Sequence, residues 1–387
     1  MISRPQFARR VAASALLLSA ACLAGCVAVA RDLPVAKGRM EPVARSDGYQ
    51  WTGLAISRSG RMFASFPRWN EPFASSVVEL RRDGAWAPFP NEAWNRWNPA
   101  DTAGAPSHWV CVQSVYIDRG DRLWVLDPGS PRMQGVIRGG AKLVQFDLTN
   151  DRAQRTIIFD EQAAPAGSYL NDVRIDTARD FAYITDSGLG AIVVIDLRTN
   201  VARRLLGGHY STQAEPIDLT VEGRALVKGD GTPLRVHADG IALDAQGDYL
   251  YYQALTGRTL YRVPTSVLRD PTLEPYQVAN AVQRLGATVA TDGMEIDDAG
   301  NVYFTAFERD AIVARRPDGT LVDVAVDPRL SWPDTLAFGP QGYLYVTTAQ
   351  INRTPWFKGN LSMPASPYYI LKTAPLGKAV PTTADPG

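Results

Sequence analysis

One pattern of apolar and polar positions recurs along the chain. Six copies begin Trp51-Thr52-Gly53-Leu54-Ala55-Ile56, Val112-Gln113-Ser114-Val115-Tyr116-Ile117, Leu170-Asn171-Asp172-Val173-Arg174-Ile175, Ala238-Asp239-Gly240-Ile241-Ala242-Leu243, Thr291-Asp292-Gly293-Met294-Glu295-Ile296 and Pro333-Asp334-Thr335-Leu336-Ala337-Phe338. A turn and a second, aromatic-rich apolar strand follow each copy, for example Gly300-Asn301 before Val302-Tyr303-Phe304-Thr305. Strand, glycine-containing turn and strand make a hairpin signature. From Thr52 onward the copies are spaced by 61, 58, 68, 53 and 42 residues. That is room for about four strands per unit, the size of a propeller blade with loop insertions. Further strands are predicted at Lys142–Leu148, Ala191–Leu197, Thr259–Val263 and Ala311–Ala314. A lone hairpin cannot bury its apolar face, whereas radially stacked sheets bury both faces. The prediction is therefore an all-β fold, a six-bladed β-propeller forming one domain over residues 48–375, with a C-terminal tail at 376–387.

The first residues have a different character. Arg4, Arg9 and Arg10 precede an apolar run from Val11 to Leu23, the layout of an export signal, and the run is short for a membrane span. Its end, Leu23-Ala24-Gly25-Cys26, resembles the lipobox of bacterial lipoproteins. The resemblance implies a cleaved signal at residues 1–25, lipidation of Cys26, and a lipid-anchored tether over 26–47. The expected location is the cell envelope, on the periplasmic side of a membrane, with membrane contact through the lipid on Cys26. A cut near Ala30 without a lipid is the plainer alternative.

Composition narrows the chemistry. Forty basic residues balance 40 acidic ones, so there is no cationic excess for nucleic acid. After loss of Cys22 and lipidation of Cys26, Cys111 stands alone, which excludes an intramolecular disulfide and a thiolate metal site. Cys111 lies in an apolar stretch and reads as a buried, inert thiol. No His-Glu-x-x-His, Gly-x-Ser-x-Gly or dinucleotide fingerprint occurs. The expected partner is a small molecule, and the expected state is a monomer.

Several of the motifs agree with a known family. Trp51-Thr52-Gly53, Phe66-Pro67-Arg68-Trp69, Val112-Gln113-Ser114, Arg122 to Asp127, Lys142 to Leu148, Leu170-Asn171-Asp172-Val173, Tyr183 to Ser187 and His237-Ala238-Asp239-Gly240 resemble, in order, the yellow / major royal jelly protein family. The resemblance spans roughly residues 48 to 357 and implies a six-bladed propeller. More distantly, the chain is similar to the gluconolactonase / senescence-marker lactonase group, which implies a divalent cation in the central channel.

In a propeller the starts of the innermost strands form a ring at one mouth. Here the ring is Thr52, Gln113, Asn171, Asp239, Asp292 and Asp334, with Asp172 beside it. Oxygen-only donors suit a hard cation, Ca²⁺ foremost. Asn171 and Asp239 match the lactonase group's ligands by motif. The group's first-blade Glu is absent, and Asp292 or Asp334 could supply the missing charge. The expected metal ligands are thus Asn171, Asp239 and Asp292, with Asp239 and Asp292 as catalytic carboxylates. Thr52, Gln113, Asp172, His237, Asp334, Arg68 and Trp69 are the expected ligand-binding residues. An Asp before a Gly can instead cap a turn. Five tryptophans, Trp69 and those from Trp86 to Trp109, could form an aromatic lid or could pack within blades. Two functions remain open. One is an enzyme, implied by resemblance to be a gluconolactonase-like hydrolase or a dopachrome-tautomerase-like isomerase. The other is a non-catalytic carrier of an aromatic amine or catechol-like ligand.

Overall fold

The computed structural model describes residues 38–69, 73, 75–81, 84–357 and 367–380. The export signal and Cys26 lie outside these residues. Six four-stranded antiparallel sheets follow one another around an axis, and their first strands touch in a closed circuit. Blade one runs Leu54–Ile56, Met62–Ser65, Val77–Leu80 and Trp86–Pro88. The first strands of blades two to six are Ser114–Ile117, Leu170–Asp176, Ala238–Leu243, Met294–Ile296 and Pro333–Phe338. The six predicted repeats therefore mark the six innermost strands.

Closure corrects the expected boundaries. Blade six takes Leu344–Thr348 and Tyr368–Thr373 from the chain's end, but its outer strand is Glu41–Ser46. Glu41–Ser46 pairs antiparallel with Tyr368–Thr373, so these residues belong to the propeller rather than to a tether. An unclosed sixth sheet would leave a bare ladder edge. The tail expected from 376 onward also starts inside the fold: the Leu376 and Gly377 N–H groups donate to the Tyr303 hydroxyl.

Period-2 alternation builds the core. Along Ala191–Asp196, Ile192 and Val194 pack toward blade four, while Val193 and Ile195 pack toward blade two. Each pair of neighbouring blades shares one apolar cluster of this kind. Near the axis the blades are joined by side-chain bonds. The Ser65 hydroxyl donates to the Gln113 carbonyl at 2.8 Å, Thr185 to that of Asp239 at 2.6 Å, and Thr347 to that of Thr52 at 2.6 Å. The glycine after each of two ring aspartates has a packing cause. A Cβ at Gly240 would lie 2.8 Å from the Asp292 carbonyl oxygen, and one at Gly293 would lie 2.1 Å from that of Asp334. Only glycine lets adjacent innermost strands approach this closely.

The Thr347 bond closes the wheel between blades six and one, at a buried position. Thr347→Val removes the donor and should cost about 1–3 kcal/mol, read as a lower urea midpoint with an unchanged m-value.

Candidate functional site

At the mouth formed by the strand starts lies a cavity of about 530 Å³. Its floor carries Gln113, Asn171, Asp239 and Asp292, each from a different blade. Its walls are aromatic: Trp69, Tyr169, Trp332, Trp356 and Phe357. Loops form a roof with its own apolar cluster, in which Lys228 bridges to Phe357 across more than a hundred residues of sequence.

The floor is a connected polar set. Asn171 Nδ2 donates to Asp239 Oδ2 at 2.8 Å and to Ser187 Oγ at 3.1 Å. Trp332 Nε1 donates to Asp292 Oδ2 at 2.6 Å, and the Trp332 ring stacks on Phe307 with centroids 4.5 Å apart. The carboxyls of Asp239 and Asp292 lie within hydrogen-bonding reach of each other. Tyr169 donates its hydroxyl proton to Gln113 Oε1 at 2.8 Å and accepts from Trp69 Nε1 at 2.8 Å. These carboxyls bond side chains from other blades, so turn capping does not account for them.

Burial dominates the electrostatics. Asp239 is held well above the usual carboxylate range, first by loss of water and then by repulsion from Asp292, Asp172 and Asp334. Asp292 is pushed up to about 7 by burial, against the stabilising Trp332 N–H. Two carboxyls this close do not both ionise in a low-dielectric site, so once Asp292 loses its proton near pH 7 the pair keeps one shared proton, with Asp239 as the donor. Asp334 is also raised by burial, and its Oδ2 has no hydrogen-bond partner.

The other expected residues distribute differently. Trp69 lines the cavity. Thr52 is fully buried and donates to the Gln113 carbonyl at 3.0 Å, so it joins blades and cannot meet a ligand. Asp334 does not line the cavity, and Asp172 faces the opposite mouth, bonded to Ser114. His237 accepts the Ala214 N–H on Nδ1 at 3.0 Å and does not line the cavity. Arg68 donates to the Trp97 carbonyl at 3.1 Å and stacks on Phe73 and Trp97, outside the cavity lining. Of the five tryptophans expected as a lid, only Trp69 lines the cavity. Trp94 and Trp109 pack against Phe146 instead. Sequence reasoning missed Tyr169 and Trp332, although each stands two residues before a ring position, where the repeat could have shown a second ring.

The expected ligands Asn171, Asp239 and Asp292 all line the cavity floor, without a formed cation cage among the described residues. Among the described residues no three Asp, Glu, His or Cys side chains converge to hold a metal ion. Asn171 presents N–H rather than oxygen to Asp239. The arrangement is an acid dyad, not a preformed Ca²⁺ cage.

Residues 110–362 match the model of the major royal jelly protein family. The chain belongs to that family. Among its relatives, major royal jelly protein 7 of Apis mellifera is 26% identical over 185 residues, 46% of this chain and 39% of that protein. Major royal jelly protein 5 of Apis mellifera is 24% identical over 253 residues, 61% and 38% respectively. The chain thus spans about two-fifths of the length of these relatives. Two solved structures share the fold. A gluconolactonase from Xanthomonas campestris superposes with a TM-score of 0.51 at 15% identity, covering 87% of this chain and 90% of that one. A luciferin-regenerating enzyme gives 0.53 at 12%, covering 88% and 97%. For this family member, fold likeness at such identity fixes the wheel and leaves its chemistry to the ring residues.

The dyad predicts a pH dependence of stability. Carboxyls raised in the folded state keep protons that the unfolded chain releases. Their stabilising contribution is complete below about pH 4 and is lost as pH rises to about 7 and beyond. Asp292→Asn should flatten this decline by roughly 1 kcal/mol per pH unit between pH 5 and 7, measured by urea denaturation across that range. In the same pH range, millimolar Ca²⁺ should leave the wild-type thermal midpoint unchanged.

Proposed function

We propose that the central cavity binds a small aromatic amine, with its ammonium on Asp239 and Asp292 and its ring among Trp69, Trp332 and Trp356. The observation behind this reading is a carboxyl pair at the floor of an otherwise aromatic-walled cavity. A buried dyad sharing one proton gains from a cation, because the ammonium lets both carboxyls ionise at once. Aromatic faces attract the same ligand through cation–π and stacking contacts, each worth about 0.5–2 kcal/mol. The volume is within the usual range for small-molecule sites.

The shared proton favours a second reading, catalysis of a tautomerisation. One carboxylate would accept a proton from carbon while the protonated partner supplies one to oxygen, with no net change in the dyad. Lactone hydrolysis has less support, since the cation expected to activate it lacks a preformed cage. In the same proposal the protein is exported, cleaved before Cys26 and held at the cell envelope by a lipid on that cysteine, an arrangement supported by the Leu23-Ala24-Gly25-Cys26 run.

Titration calorimetry should show saturable tryptamine binding. Asp292→Asn should weaken tryptamine at least about tenfold, while leaving the neutral analogue indole-3-ethanol within about twofold. Equal losses for both compounds would remove the ammonium–dyad contact. Turnover of a dopachrome-type substrate that vanishes in Asp239→Asn, with tryptamine binding only weakened, would select the enzyme over the carrier.

A further inference from the structure

The opposite end of the axis opens into a second cavity of about 540 Å³. It shares no lining residue with the aromatic cavity. Among its lining residues is Arg174, only 5% exposed and set beside Asp172 and Glu295. Backbone carbonyls position the guanidinium: Nη1 donates to Val173 at 2.8 Å and Nη2 to Met294 at 2.5 Å. The Tyr116 ring lies beneath it at 5.0 Å. These contacts orient the charge without cancelling it. Nε has no hydrogen-bond partner, and the nearest Glu295 oxygen is 3.8 Å from Nη2, beyond hydrogen-bonding distance. A buried guanidinium with spare donor capacity is costly to maintain. Burial raises Asp172 and Glu295, while Arg174, and for Glu295 also Arg119, works against that rise.

A simple anion at this place would meet two carboxyls, and a simple cation would meet a buried guanidinium. A dipolar molecule satisfies both signs. We infer that this second mouth binds a small zwitterion of the α-amino-acid type, with its carboxylate on Arg174 and its ammonium on Glu295 and Asp172. Nη1 and Nη2 each keep a second N–H beyond the one given to a backbone carbonyl, and charge-assisted bonds from these can hold a carboxylate. Ile56, Leu336 and Phe338 give the wall apolar surface for a short side chain. The site is separate from the aromatic cavity, so the inference does not depend on the amine reading.

Titration calorimetry with L-alanine, propionate and propylamine tests it. L-Alanine should bind saturably, with both single-charge analogues at least about tenfold weaker. Glu295→Gln should weaken L-alanine by about tenfold or more and leave tryptamine binding, measured by the same calorimetry, unchanged. Absence of saturable L-alanine binding, or propylamine binding as well as L-alanine, would overturn the assignment. If Glu295→Gln does not fold, a crystal of the wild-type protein soaked in L-alanine decides. Density bridging Arg174 and Glu295 supports the site, and its absence there overturns it.

Discussion

Burial of acid groups at a common axis governs what this protein can do. Asp172, Asp239, Asp292 and Asp334 come from four consecutive blades, and none is more than 8% exposed. In water each would ionise independently. Here loss of hydration is the largest influence on all four, and each lies above its ordinary pKa. Such a cluster persists only if the scaffold keeps it from separating. The closed circuit of innermost strands does this, helped by hydroxyl bonds from Ser65, Thr185 and Thr347 and by the Glu41–Ser46 strand that seals blade six. Electrostatic strain at the hub is offset by apolar burial between the blades.

Much of this was legible in the chain because repetition carries geometry. A pattern spaced by one blade converts sequence distance into angular position, so equivalent residues form a ring. Gln113, Asn171, Asp239 and Asp292 reach the cavity floor as that argument expects. The argument fails at Thr52 and Asp334, which do not line the cavity. Equivalent backbone positions do not guarantee equivalent side-chain roles: a short hydroxyl at blade one bonds its neighbour's backbone instead of facing the axis. The aromatic walls were harder to read. Trp356 and Phe357 arrive on a loop after the last repeat, and the roof segment around Lys228 meets them only in three dimensions. No local period encodes that meeting. The outer strand of blade six was hidden for a related reason. Its exposed pattern in Glu41–Ser46 looks like a linker until a partner nearly 330 residues later is known.

Whether a propeller axis holds a proton or a metal ion depends on how many charges the ring presents at one level. Three ionised carboxylates crowded together would require a cation. Here blade one contributes a hydroxyl that is already committed, and Asp334 stays off the cavity lining with one oxygen unpartnered and its pKa raised. Two carboxyls remain at the floor, and one proton between them suffices. That proton is also the simplest thing for an incoming ammonium to displace. The same two residues can therefore act as a binding site or as an acid–base pair, according to whether the ligand carries positive charge or an acidic C–H. The aromatic walls serve either role, since they exclude water and strengthen whatever electrostatic contact forms at the floor.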